Sequence, residues 1–141
     1  MKRVLMLNAS HNDWRAIKAL KELGYYVITT GNRPNLSGHK LADEYICEDY
    51  SDKEKILKLA GRLKLDAICA SCNDFGVLTA AYVAEKLDLP GHDTYENAQI
   101  LHHKDRFKDF AREHGIRTPL AESFDDVDAA TEWVKNAKYP I

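Results

Sequence analysis

Short apolar runs alternate with helix-forming segments through the first 91 residues, and this alternation constrains the fold more than any other feature. The runs at residues 4–9, 25–30, 45–47 and 66–70 are rich in apolar, β-branched or aromatic residues, which favours buried strands. Apolar residues recur at helical spacing between the runs. Alternating short strands and helices indicate an α/β fold with a doubly wound parallel sheet and right-handed crossovers.

Capping residues set the expected helix boundaries. Asn12 or Asp13 is predicted to cap the first helix, and Gly24 is predicted to end it. The sequence Ser-Asp-Lys-Glu at 51–54 matches a capping box that opens the second helix. Residues 74–87 predict a long and strongly apolar third helix.

The pattern changes after residue 91. Helices are predicted over 94–101 and 103–114, with no strand between them. The segments that follow are a strand at 120–124, a helix at 127–137 and a strand stub at 139–141. We therefore expect three parts: a complete first domain (1–91), connecting helices (92–116), and the cut first unit of a second domain (117–141).

Bulk properties exclude several classes of function. The 141 residues are 45% hydrophobic and 30% charged, which is typical of a globular protein that folds without disulfides or metals. A net charge of −2 with both signs dispersed argues against a nucleic-acid interface. The sequence shows neither an apolar run near the ~20 residues of a membrane span nor a signal peptide. A cytoplasmic protein with reduced cysteines is expected.

Polar residues follow the first, second and fourth predicted strands. In an open parallel sheet, ligands bind beyond the carboxyl ends of the strands where the winding reverses, which for a strand order of 3-2-1-4 lies between strands one and four. The loops there lead into helix N-termini, which attract anions, so we predict a small carboxylate substrate. The same residue types are ordinary caps and turn formers, so a structural role stays open. The candidate residues are Asn8, Ser10, His11, Asn12, Asp13, Thr30, Gly31, Asn32, Ser71, Asn73 and Asp74.

Other site motifs are absent or weak in the sequence. The loop after the first strand has no glycine, which argues against an NAD fingerprint, and no phosphate-binding P-loop occurs. Cys69 and Cys72 have C-x-x-C spacing, but strand alternation predicts that Cys69 is buried, which disfavours a redox role. No second ligand pair accompanies them, so zinc is not expected. The adjacent His102 and His103 project to different sides of a helix, and we expect a solvated helix start there.

Five short stretches occur in a fixed order from residue 89 onward. They are Leu-Pro-Gly at 89–91, the segment 94–101, Lys-Asp-Arg-Phe-Lys at 104–108, Gly-Ile-Arg-Thr-Pro at 115–119 and Lys-Tyr-Pro-Ile at 138–141. Behind an α/β domain, this order resembles the N-terminal (pre-ATP-grasp) portion of the ATP-grasp superfamily, which includes biotin carboxylase and the large chain of carbamoyl-phosphate synthase. The resemblance implies a Rossmann-like first domain followed by the truncated start of an ATP-grasp fold.

The resemblance also implies a function. ATP-grasp ligases use ATP and Mg²⁺ to turn a carboxylate into an acyl phosphate, which an amine or another nucleophile attacks. Lys104 matches the lysine that contacts the nucleotide in the family; without the resemblance it reads as a solvated lysine. The remainder of the ATP-grasp domain would follow Ile141, so this chain is expected to be inactive alone. Strands without partners near its end also favour mobility or a homodimer contact.

A second interpretation stays open. The first domain closes on itself near residue 91, which fits a complete, non-catalytic Rossmann-like module that binds a small ligand or a partner protein. Reading the gene past the codon for Ile141 separates the two interpretations. A lysine a few residues on, followed by a glycine-rich segment and later Glu and Asn metal ligands, selects the enzyme, whereas an immediate stop codon selects the module.

Overall fold

Four parallel strands form one sheet within residues 1–71 and 73–137, the part of the chain described by this computed structural model. The strands are β1 (Arg3–Leu7), β2 (Tyr26–Thr30), β3 (Glu44–Ile46) and β4 (Ala67–Cys69). Their order is β3-β2-β1-β4, and the pairings are parallel. The prediction of an α/β fold with a parallel sheet is therefore confirmed, and the strand order is the one assumed for locating the switch point.

Helices follow the strands in sequence. They are α1 (Trp14–Glu22), α2 (Lys53–Leu63), α3 (Asp74–Leu87), α4 (Tyr95–His102), α5 (Lys104–Glu113) and α6 (Val127–Asn136). Short 3-10 turns cover His11–Asp13 and Ser37–Leu41. The last four predicted helices are confirmed, with ends that shift by at most one residue. Among the described helices, none combines the length and the apolar character needed to cross a membrane.

The sheet is buried on both faces, because the side chains of β1 alternate between two apolar clusters. Leu5 and Leu7 belong to one cluster, together with apolar residues of α2 and α3. Val4 and Met6 belong to the other, together with Ile17 of α1. The four β1 residues are at most 1% exposed. Burial on both faces explains why β1 is a continuous apolar run in the sequence instead of an alternating one.

The ends of α1 and α2 show where local prediction succeeded and where it failed. Gly24 follows α1 with a left-handed φ of +81°, as expected for a helix stop. The N-cap of α2 is Asp52, whose Oδ1 accepts from the N–H of Lys55 at 3.1 Å, so the capping box predicted to start at Ser51 is wrong. The physical reason is that Ser51 donates both its N–H and its hydroxyl to Oδ1 of Asp49.

The chain divides into two compact units, Met1–His102 and His103–Ile141. The strand predicted at 120–124 is wrong, because this segment is not a strand and Leu120 is 96% exposed. A strand needs a neighbour for its backbone groups, and residues 103–137 provide none. The stub predicted at 139–141 lies outside the described residues. The three-part division of the chain stays a prediction.

Candidate functional site

The buried carboxylate of Asp13 holds together the loops that follow β1 and β4. Its Oδ2 accepts from the N–H of Ser10 at 2.7 Å, from the Ser10 hydroxyl at 2.8 Å and from Nδ2 of Asn8 at 3.1 Å. Its Oδ1 accepts from the hydroxyl of Ser71. Asp13 is fully buried, and a buried carboxylate is tolerated when several donors surround it. The two loops therefore meet at the switch point of the sheet.

Asn73 ties the loop after β4 to the end of β1. Its Nδ2 donates to the carbonyl of Leu7 at 3.2 Å, and its Oδ1 accepts from the N–H of Gly76, which caps α3. A Cβ at position 76 would collide with the Asn73 amide, so the close cap requires glycine there. Asn8 ties the end of β1 to β2 on the other side, since its N–H donates to the Thr30 carbonyl at 2.9 Å. Hydrogen bonds within the protein thus occupy the β1–β4 side of the switch point.

Four further candidate residues, from the end of β2 and from the segments after β1 and β4, are either buried or exposed. Thr30 is fully buried, and its hydroxyl lies 2.7 Å from the carbonyl of Ile46, to which it donates. His11, Asn12 and Asp74 are exposed at the starts of helical segments. Thr30 therefore serves the sheet, whereas the three exposed residues are accessible from solvent.

Four candidate residues line an open crevice beyond the carboxyl ends of β1 and β2. They are Asn8, Ser10, Gly31 and Asn32. The crevice has a volume of about 130 Å³, and Arg33, Leu36 and Tyr50 complete its walls. Sequence reasoning missed these three residues. Arg33 had a usable signal, because it directly follows Asn32 in the same loop, but Tyr50 had none, because tertiary packing brings it there.

The 3-10 turn Ser37–Leu41 packs against the loop after β1. The N–H of Gly38 donates to the carbonyl of Ala9 at 2.9 Å, and a Cβ at position 38 would overlap that carbonyl. His39 is buried, with its Nδ1 2.9 Å from the hydroxyl of Thr29. Burial lowers the pKa of His39, which favours a neutral ring. The turn is therefore fixed by Ala9 on one side and by Thr29 on the other. It supports the adjacent residue Leu36, which forms part of the crevice wall.

Lys104 lies in the second unit, at the start of α5. It lines a cavity of about 440 Å³, a size within the range of ligand sites. Lys108 of the same cavity donates to the Thr118 hydroxyl, and Arg112 pairs with Asp109, whereas Lys104 has no ion-pair partner in the described part of the chain. The described residues that share the cavity with Lys104 are Asp105, Lys108, Asp109, Arg112, Ala121, Glu122 and Ser123. Three cations and three acids among them balance in charge.

The burial of Cys69 bears on the C-x-x-C spacing, and the arrangement of His, Cys, Asp and Glu side chains bears on metal binding. Burial raises the pKa of the Cys69 thiol, and the charge of Asp13 adds to this effect, so the reactive thiolate is disfavoured. Cys72, the other cysteine of the C-x-x-C spacing, lies outside the described residues. Among residues 1–71 and 73–137, no group of three His, Cys, Asp or Glu side chains is placed to hold a metal ion.

Comparison with known proteins gives matches at the level of structure. No family model matches the sequence, and no curated protein matches it. A crystal structure of phosphoribosylglycinamide synthetase from Anaerococcus prevotii matches 99% of this chain and 35% of its own, with a TM-score of 0.80 and 27% identity. The biotin carboxylase domain of a thermophilic 2-oxoglutarate carboxylase bound to ADP matches 99% of this chain and 34% of its own, with a TM-score of 0.67 and 25% identity.

A third structure shares the fold at lower identity. The N5-carboxyaminoimidazole ribonucleotide synthetase from Thermotoga maritima matches 99% of this chain and 37% of its own, with a TM-score of 0.75 and 21% identity. The chain thus spans about a third of the length of the structures that it matches. These structures are ATP-grasp family ligases. The predicted resemblance to the N-terminal portion of that superfamily is confirmed.

Proposed function

We propose that this chain, which has the fold of the N-terminal portion of ATP-grasp ligases, is that portion of an ATP-dependent carboxylate–amine ligase and is inactive alone. The proposal depends on the match to phosphoribosylglycinamide synthetase, at 27% identity over 99% of this chain. A parallel α/β sheet by itself occurs in many unrelated proteins. A match that also includes α4, α5 and α6 is more specific, and it supports the ligase over a general ligand-binding module.

The first unit would hold the carboxylate substrate beyond the ends of its strands. Asn8, Ser10, Gly31 and Asn32 line the open crevice there. Asp13 contributes no atom to that crevice, but it fixes the loop from which Asn8 and Ser10 reach it. Asp13 is therefore proposed as a positioning residue, and the crevice residues as the groups that contact substrate.

ATP would supply the phosphoryl group that activates the carboxylate as an acyl phosphate, which the amine then attacks. Lys104 is proposed to bind a phosphate of ATP, because a lysine ammonium is a compact charge suited to phosphate. The balanced charge of its cavity means that the described residues alone do not attract a polyphosphate. Further cations and the Mg²⁺ ligands would come from the remainder of the ATP-grasp domain, and this is why we expect the chain alone to be inactive.

The identities of the carboxylic acid and of the nucleophile depend on the subgroup to which the parent enzyme belongs. The motif order from residue 89 onward resembles that of carbamoyl-phosphate-synthase-like proteins, and we propose that subgroup for the parent enzyme. The matched structures carry other names, among them an L-amino acid ligase from Bacillus licheniformis. Panels of carboxylic acids and amines are therefore the appropriate first screen.

ATP turnover by the 141-residue chain, and by the longer protein that the proposal implies, tests the proposal. The longer protein should form ADP only when Mg²⁺ and an acid are present, and the 141-residue chain should form none. Lys104→Gln in the longer protein should raise the KM for ATP about tenfold or more. Lys58→Gln, which removes an exposed charge from α2, is the control and should leave turnover unchanged.

Two results would contradict the proposal. ADP formation by the 141-residue chain would contradict its inactivity. ATP hydrolysis that ignores the acid, or no ATP turnover in the longer protein, would contradict the ligase. A stop codon directly after the codon for Ile141 would favour the non-catalytic module.

A further inference from the structure

The crevice beyond β1 and β2 has a positive charge and no negative charge among its described lining residues. Arg33 supplies the positive charge. The uncharged lining residues are Asn8, Ser10, Gly31, Asn32, Leu36 and Tyr50. Within residues 1–71 and 73–137, the Arg33 guanidinium has no hydrogen-bond or ion-pair partner. An unpaired guanidinium at a polar crevice is suited to an oxyanion, which it can bind through two parallel hydrogen bonds.

The carboxylate of Asp13 does not oppose this charge from within the crevice. Asp13 is fully buried and does not line the crevice wall. Four donors from the described residues already engage it, namely the Asn8 amide, the Ser10 N–H and the hydroxyls of Ser10 and Ser71. Asn32 and Tyr50, by contrast, make no side-chain hydrogen bond within the described part of the chain, so their donors are available to a ligand.

The size of the crevice limits what can enter it. Its volume of about 130 Å³ is well below the roughly 300–1,000 Å³ of sites that enclose a whole ligand of ordinary size. The crevice therefore accommodates one small group at the end of a molecule and is too small for a nucleotide. A single oxyanion, planar or tetrahedral, satisfies both the charge and the volume.

We propose that Arg33, with Asn32 and Tyr50, binds the oxyanion end of a substrate in this crevice, either a carboxylate or a phosphate ester. The statement that this substrate belongs to a ligase rests on the proposed function, whereas the binding itself does not. Arg33 is then the residue that selects a negatively charged substrate. The rest of the substrate extends out of the crevice toward solvent.

NMR titration of the ¹⁵N-labelled chain with sodium acetate, and separately with sodium phosphate at constant ionic strength, tests the proposal without ATP. The backbone amides of residues 8, 10, 31–33 and 50 should shift and saturate. Arg33→Gln should weaken the affinity about tenfold or more, and Arg33→Lys should weaken it less. Arg62→Gln removes an exposed cation from the last turn of α2 that does not line the crevice, and it should bind as the unchanged chain does.

A second variant tests the volume instead of the charge. A Cβ at Gly31 would lie 3.7 Å from the Tyr50 ring, which is ordinary contact, so Gly31→Ala should fold normally while narrowing the crevice. We expect it to weaken the binding of both anions. The amide spectrum of each variant reports directly whether its fold is intact.

Each outcome is decisive. Provided that Arg33→Gln loses affinity, saturation by acetate alone indicates a carboxylate substrate, and saturation by phosphate alone indicates a phosphate ester. Saturation by both anions indicates a general oxyanion site. Absence of saturable shifts with either anion, or equal affinity in Arg33→Gln and the unchanged chain, would overturn the proposal. If anion binding fails while the longer protein forms ADP with an acid, the ligase stands and the crevice assignment falls. If anion binding succeeds without acid-dependent ADP formation, the crevice stands and the ligase falls.

Discussion

The hydroxyl of Ser71 donates a hydrogen bond to Oδ1 of Asp13, although 58 positions of sequence separate the two residues. This contact joins the loop after β4 to the loop after β1, at the point where the winding of the sheet reverses. Asp13 also accepts from Asn8 and Ser10, so one carboxylate sets the conformation of both loops. Two of the residues that line the crevice, Asn8 and Ser10, therefore depend on a residue that does not line it.

Replacement of Asp13 by asparagine should destabilise the first unit. The amide offers one acceptor oxygen where the carboxylate offers two, so either the Ser71 hydroxyl or the donors of Asn8 and Ser10 lose their acceptor. An unsatisfied buried donor such as the Asn8 amide costs about 1–3 kcal/mol, and we expect a loss within that range in urea denaturation. Asp74→Asn alters an exposed carboxylate in the first turn of α3 and should cost at most about 1 kcal/mol. Equal losses in the two variants would refute a special role for Asp13.

Gly38 is predicted to be intolerant of a side chain. Its N–H donates to the Ala9 carbonyl, and an added Cβ would overlap that backbone group, which cannot move as a flexible side chain would. Gly38→Ala should therefore cost about 1–3 kcal/mol of unfolding free energy. Gly61→Ala is the matched control, because Gly61 lies within α2 with open space at its Cβ, and it should stabilise by about 0.5–1 kcal/mol. Similar shifts of the two urea midpoints would refute the close approach at Gly38.

The sheet was predictable because its signal is local. Both faces of β1 are buried, so its residues form a continuous apolar run that is visible without knowledge of any partner. The segment at 120–124 shows the limit of that reasoning. Its composition favours a strand, but a strand also needs a neighbour, and residues 103–137 contain none. Composition alone therefore predicts a propensity for strand conformation, but it does not predict whether a neighbouring strand is present.

The site was predictable only in part, for a related reason. Loop composition identified the segment from Asn8 to Asp13, but it does not tell which side chains turn inward. Asp13 is fully buried, whereas the adjacent Asn12 is exposed. Tyr50 reaches the crevice through the packing of the segment between β3 and α2, and this long-range arrangement leaves no trace in its neighbours along the sequence.

The stability of the first unit should fall in mild acid because of His39. Burial lowers the pKa of His39 from its ordinary value of 6.5, so the unfolded chain takes up this proton at a higher pH than the folded chain. The stabilising contribution is therefore complete above about pH 6.5 and declines as the pH falls from there toward the lowered folded pKa. Urea midpoints between about pH 5 and pH 8 should show this decline, and His39→Gln should reduce its slope. His11→Gln changes an exposed histidine and should keep the original slope. An unchanged slope in His39→Gln would assign the decline to other groups.

The ammonium of Lys53 should be a measurable link between α2, α3 and α4. It lies 4.6 Å from the ring centroid of Tyr82, 4.6 Å from that of Tyr95, and 3.2 Å from the Tyr95 hydroxyl. Lys53→Met keeps most of the apolar stem and removes the charge, so the expected loss of about 1–2 kcal/mol reports the cation–π contacts together with the hydrogen bond to Tyr95. Lys58→Met, at an exposed position of α2, should change stability by less than about 0.5 kcal/mol.

Hydrogen exchange separates this link from general destabilisation. Tyr95 begins α4, so loss of the Lys53 ammonium should release that helix before it affects the sheet. The α4 amides should therefore exchange faster, whereas the exchange rates of the β1 and β2 amides should keep their relative order. Lys58→Met should leave both sets unchanged. If the α4 amides in Lys53→Met exchange at the original rate and the urea midpoint does not move, then the other contacts with α3, among them the bond from the Tyr95 N–H to Oε2 of Glu85, hold α4 without the Lys53 charge.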